Sequence, residues 1–162
     1  MKQSPRGARH ETTNRSRPFP TDIPAERTVA EIQTILARAG AASVRVDYED
    51  GQPEAILFML MLGHQSVAFR VPSRWQGVYR ILQKEKSPAM RRAFRAEAHA
   101  RRVAWRIVKD WCEAQIALIQ SGQATLPQLF LPHAVRPDGR TLFDVVATDP
   151  HLLLGSGNEA TQ

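Results

Sequence analysis

Apolar residues recur at helical spacing from about Pro24 to Ala39, where Val29, Ile32, Ile35 and Leu36 share one face. Pro24 suits a first helical position and Gly40 the residue just past the end. The period then changes to two. Val44, Val46 and Tyr48 alternate with Ser43, Arg45 and Asp47, the pattern of a half-buried strand, and Asp50-Gly51 is a hairpin signal. The next strand, Glu54 to Leu62, is apolar on both faces, with Ile56, Phe58, Leu60 and Leu62 backed by Ala55, Leu57, Met59 and Met61. Such a strand belongs in the middle of a sheet whose two faces are both covered. Gly63-His64 turns the chain into a third strand, Gln65 to Val71, to complete an antiparallel meander.

Pro72-Ser73 ends the sheet and opens a helix at about Arg74 to Lys86, with Trp75, Val78, Tyr79 and Leu82 on its apolar side. Ser87-Pro88 caps and starts the longest element, about Pro88 to Gln120, which Gly122 terminates. Leu126 to Leu131 predicts one short helix ended by Pro132, Pro137-Asp138-Gly139 a turn, and Thr141 to Ala147 either a helix or a strand. The expected fold is therefore α+β: a three-stranded antiparallel meander packed with an N-terminal helix, a short helix and one long basic helix. Residues 1–24 read as a disordered basic tail, 25–150 as a single domain and 151–162 as a flexible end. Four prolines, few aliphatic residues and five basic against two acidic residues set the tail apart.

A helical wheel separates the long helix into two faces. Phe94, Ala104, Ile107, Val108, Trp111, Cys112, Leu118 and Ile119 fall on one, and Arg91, Arg92, Arg95, His99, Arg102, Arg106 and Lys109 on the other. Like charges three and four residues apart repel, so a ridge of one sign is unfavourable for a merely solvated helix and suits a phosphate backbone. Over Arg74 to Trp111 eleven basic residues face only three acidic ones. The whole chain of 162 residues carries 22 basic and 16 acidic residues, a net +6, and that balance favours polyanionic partners. Glu97 and Arg101, four apart on the apolar side, are expected to pair at the core edge. Trp75, Trp105 and Trp111 are read as core rather than as base-stacking platforms, and Cys112 as inert packing.

The chemistry that would mark an enzyme is missing from the pattern. One cysteine permits no disulfide within the chain and no cysteine-based zinc site, and His10, His64, His99, His133 and His151 stand in no metal-ligand spacing. No cofactor, metal or catalytic residue is expected. Asp47, Glu49, Asp50 and Glu54 could hold a cation for phosphodiester hydrolysis, but three of them flank a hairpin turn, where acids serve solubility. The longest apolar run, Ala55 to Leu62, is too short to span a bilayer, and the N-terminus does not read as a signal peptide.

The segment Arg102 to Trp111, with Glu113-Ala114-Gln115, Leu129 to Pro132 and Gly139 to Phe143, resembles small uncharacterised proteins of bacteriophages and integrating mobile elements. The resemblance covers about Arg27 to Phe143 and implies no catalytic residues. The order helix, three strands, long basic helix is more faintly similar, in topology, to phage single-strand annealing proteins, but their Gly-rich turn after the strands is replaced here by the helix at Arg74. Together these readings lead to a non-enzymatic nucleic-acid-binding accessory protein of a phage or mobile element, cytoplasmic in the bacterial cell or infected host. Its expected partner is DNA or RNA, contacted through the basic ridge. An inhibitor that docks the ridge on an acidic host or phage protein is the alternative, and a metal-dependent nuclease on the Asp47 to Glu54 acids is a third reading. The second face of the central strand also needs a cover: either the long helix covers one face and the Arg74 helix the other, or a second copy of the chain does, which makes a homo-oligomer the alternative to the two-helix cover.

Overall fold

A computed structural model describes residues 22–84 and 97–154. Its elements run α1 (Ala25–Arg38), β1 (Ser43–Glu49), β2 (Gln52–Leu62), β3 (Gln65–Pro72), α2 (Trp75–Gln83), α3 (Glu97–Gln120), α4 (Leu126–Phe130), a 3-10 turn (Leu131–His133), α5 (Leu142–Thr148) and α6 (His151–Leu154). This is the predicted α+β fold, with a three-stranded antiparallel sheet in the order β1-β2-β3. The hairpin forms at Asp50-Gly51 because both residues take positive φ, 50° and 72°, which the Asp-Gly pair accommodates. The helix expected to run to about Lys86 ends at Gln83, with Lys84 as its C-cap, and the expected start of the long helix at Pro88 falls outside the described residues. Thr141 to Ala147, open between helix and strand, is helical. Thr141 Oγ1 accepts from Asp144 N at 3.1 Å and Asp144 Oδ2 accepts from Thr141 N at 2.9 Å, a reciprocal cap for α5. The last short helix, α6, begins where a flexible end is expected.

The core lies between one face of the sheet and the pair α1 and α3. Ile56, Phe58 and Leu60 of β2 meet Ile32 and Leu36 of α1 and Trp105, Cys112 and Ile116 of α3 in one buried cluster. Phe58 stacks on Phe69 with centroids 5.4 Å apart, and Phe130 sets its edge against both rings, so α4 closes one end of the core. Trp105, fully buried, donates its indole N–H to the Pro53 carbonyl at 3.1 Å and ties α3 to the start of β2. The chain beyond the 3-10 turn returns to the sheet, where Val135 N donates to Ala68 O at 2.7 Å and extends the β3 edge.

The second face of β2 is treated differently from expectation. The helix α2 packs along α3. It does not close the far side of the sheet: Ala55 is buried, but Met59 and Met61 are 36% and 57% exposed. Two charged residues of β1 and β3, Arg45 and Arg70, flank that column through Asp47, at 3.6 and 3.7 Å. Among the described residues, no helix is long and apolar enough to cross a membrane.

Candidate nucleic-acid interface

The predicted ridge divides into three parts. Arg91, Arg92 and Arg95 lie outside the described residues. His99 is corrected outright: it is 6% exposed and belongs to the buried side of α3. A wheel assumes one apolar face, whereas α3 packs against α1 and α2 as well as over the sheet, so its solvent arc is narrow near its start. His99, Ala100, Val103, Ala104 and Trp105 are all buried there. The same geometry leaves Ile107, placed on the apolar arc, 46% exposed.

Arg102, Arg106 and Lys109 remain on the outer side, each with company. Arg102 Nη2 lies 3.5 Å from His99 Nδ1. Arg106 Nε pairs with Asp110 Oδ1 at 3.1 Å, one turn on along the helix. Lys109 Nζ sits between Glu31 Oε2 of α1 at 3.0 Å and Glu113 Oε1 at 3.3 Å, with only 15% of its side chain exposed. Those contacts raise the Lys109 pKa above its ordinary value, the hydrogen bond to Glu31 most of all, and the same bond holds Glu31 below the usual carboxylate range. Lys109 is thus a clamp between α1 and α3.

Glu97 is not the partner of Arg101. Arg101 Nη1 reaches Glu54 Oε2 of β2 at 3.3 Å, and its guanidinium carbon lies 4.1 Å from the Trp75 ring centre. Arg101 therefore joins three elements, and the hairpin acid Glu54 is consumed in doing so. Asp47 is likewise shared by Arg45 and Arg70. Among the described residues no group of three or more His, Cys, Asp or Glu side chains is placed to hold a metal ion. The Cys112 thiol is 1% exposed, and burial pushes its pKa up to about 12, far from a reactive thiolate.

The wheel overlooked a second basic locus. Arg70 of β3 and Arg74, just before α2, meet His133, Thr141, Phe143 and Asp144 around a cavity of about 290 Å³. No sequence spacing signals it, since its members come from segments about sixty residues apart. The His133 ring packs edge-on to Trp111, with centroids 5.3 Å apart.

Both imidazoles are held below their ordinary value near 6.5. For each, burial is the main cause; the Arg102 charge adds to it at His99, and the Arg74 charge at His133. An Asp22 carboxylate opposes the shift at His99, and a bond to the Arg70 backbone opposes it at His133. The unfolded chain takes up these protons at higher pH than the folded one. Stability is therefore fully present above pH 6.5 and falls as the pH drops through that value toward the lower folded values. Thermal unfolding followed between pH 7.5 and 5.5 should show the midpoint falling on acidification, with a shallower fall in a His99→Gln, His133→Gln variant. A flat profile in the parent chain contradicts this.

Comparison of the chain with protein families, curated proteins and solved structures finds no match.

Proposed function

We propose that the chain is a non-enzymatic nucleic-acid-binding accessory protein whose phosphate contacts come from its two cation-rich segments, residues 1–21 and 85–96. The supporting observation is how charge divides along the chain. Residues 22–84 and 97–154 hold 13 basic and 13 acidic residues, whereas residues 1–21 hold five against one and residues 85–96 four against one. Within the balanced body the acids Glu31, Asp47, Glu54, Asp110, Glu113 and Asp138 each pair with a lysine or arginine. Arg91, Arg92 and Arg95 have only Glu85 as an acid in their own segment. A phosphate backbone offers countercharge to such a segment, arginine meets it with two parallel N–H donors, and release of condensed ions drives the association. A setting in a phage or mobile element, in the bacterial cytoplasm, rests on the resemblance over about Arg27 to Phe143 alone.

The ridge residues then separate by role. Replacing Arg91, Arg92 and Arg95 by Gln should weaken binding to single- or double-stranded DNA or RNA by at least about tenfold at 50 mM salt. Replacing Arg106 and Lys109 by Gln should change binding less than about twofold, because Asp110, Glu31 and Glu113 already neutralise them. The second variant should instead lose stability, by about 1–2 kcal/mol, since the clamp between α1 and α3 is gone. Filter binding and denaturant unfolding on the two variants check this, and the reverse ranking of affinities contradicts it. Light scattering addresses self-association through the open face around Met59 and Met61: a single-chain mass at high concentration removes that expectation.

A further inference from the structure

We propose that the cavity beside the β3 edge is a nucleotide pocket, with Arg70 and Arg74 receiving a phosphomonoester and Phe143 carrying the attached planar ring. The site uses no ridge residue and stands whether or not the ridge binds strands.

Arg74 is the first reason. It has φ 45° and ψ 38°, a left-handed conformation that costs a non-glycine residue strain, in the segment that leads from β3 into α2. Glycine is the residue that fits such a backbone, so an arginine there sits against its local preference. Its side chain lines the cavity with the guanidinium carbon 5.9 Å from the Phe143 ring centre.

The charge balance of the wall is the second. Arg70 has only a loose partner, Asp47 at 3.7 Å. Asp144 is the one acid in the wall, and its Oδ2 already accepts from Thr141 N at 2.9 Å and Thr141 Oγ1 at 2.7 Å. Asp47 is shared with Arg45 at 3.6 Å, so Arg45, Arg70 and Arg74 face the two carboxylates Asp47 and Asp144, and one positive charge is in excess. His133 adds a ring whose burial disfavours its charged form. Two guanidinium groups match the several oxygens of a phosphomonoester better than the two of a carboxylate, for which one suffices.

The third is the exposed aromatic face. Phe143 is 51% exposed at the rim, next to the Arg74 guanidinium, and presents a ring on which a base can stack. A volume of about 290 Å³ lies at the small end of ligand pockets and admits one nucleotide unit.

Titration of the full chain with a nucleoside 5′-monophosphate, the matching nucleoside and inorganic phosphate tests the assignment by calorimetry. The monophosphate should bind at least tenfold tighter than either part alone. Arg74→Gly should lower that affinity at least tenfold while leaving the unfolding temperature equal or higher, since glycine relieves the backbone strain. Phe143→Ser should bring the monophosphate down to the affinity of inorganic phosphate. Short strands with and without a 5′-phosphate identify the source: displacement of the monophosphate by the phosphorylated strand alone assigns a strand end, and displacement by neither assigns a free nucleotide. Equal binding of nucleoside and monophosphate, or unchanged affinity in folded Arg74→Gly, overturns the proposal.

Discussion

Trp105→Ala is expected to cost about 4 kcal/mol, close to the whole stability of many domains of this size. The side chain is fully buried between α3 and the sheet, in the cluster with Phe58, Phe69 and Phe130. Truncation removes its apolar contacts, leaves a cavity that rigid neighbours fill only partly, and strips the Pro53 carbonyl of its 3.1 Å donor. Trp105→Phe separates these effects. It retains most of the ring but not the N–H, and should cost about 1–3 kcal/mol through the unpaired carbonyl and the lost ring. Urea unfolding of both variants is the measurement. A loss below about 1.5 kcal/mol for Trp105→Ala contradicts the placement of this residue at the centre of the core.

The second large effect belongs to Arg101. Its pair with Glu54 is mostly enclosed, with the two side chains 13% and 19% exposed, so removing one partner strands a charge with little water to receive it. The Trp75 ring loses its guanidinium cover at the same time, which loosens α2. Arg101→Ala should therefore destabilise the fold by about 2–3 kcal/mol, well beyond an exposed ion pair. The Glu54→Ala, Arg101→Ala double variant should be less damaged than the sum of the singles, because no charge is then left unpaired. A single variant within about 0.5 kcal/mol of the parent contradicts the bridging role.

These two residues also show what local sequence carries and what it does not. The meander was legible because period-two alternation, Asp50-Gly51 and a strand apolar on both faces are local signals. The start of α5 was not: a short apolar run at Thr141 to Ala147 fits helix or strand alike, and it is the Thr141–Asp144 cap seen in the structure that decides for helix. The partners of the charged residues were not legible. Arg101 finds Glu54 across 47 positions and not Glu97 at four, and Lys109 finds Glu31 on another helix. Spacing rules describe an isolated helix, while α3 packs on α1, α2 and the sheet together. For that reason the wheel also put His99 in solvent and Ile107 in the core. The pocket at Arg70 and Arg74 exists only because residues 134–135 return to the β3 edge, a pairing with no local signature.

The central claim is that the surplus cations of residues 1–21 and 85–96 bind phosphates, and its most direct test is the salt dependence of nucleic-acid binding by the full chain. With about five phosphates neutralised, log K against log salt should have a slope of roughly −4.5 on duplex and about −3.5 on single strands. Replacing Arg91, Arg92 and Arg95 by Gln should flatten the duplex slope to roughly −2 and weaken all sequences alike, because phosphate contacts carry no base information. No binding at low salt, or an unchanged slope in that variant, would contradict it.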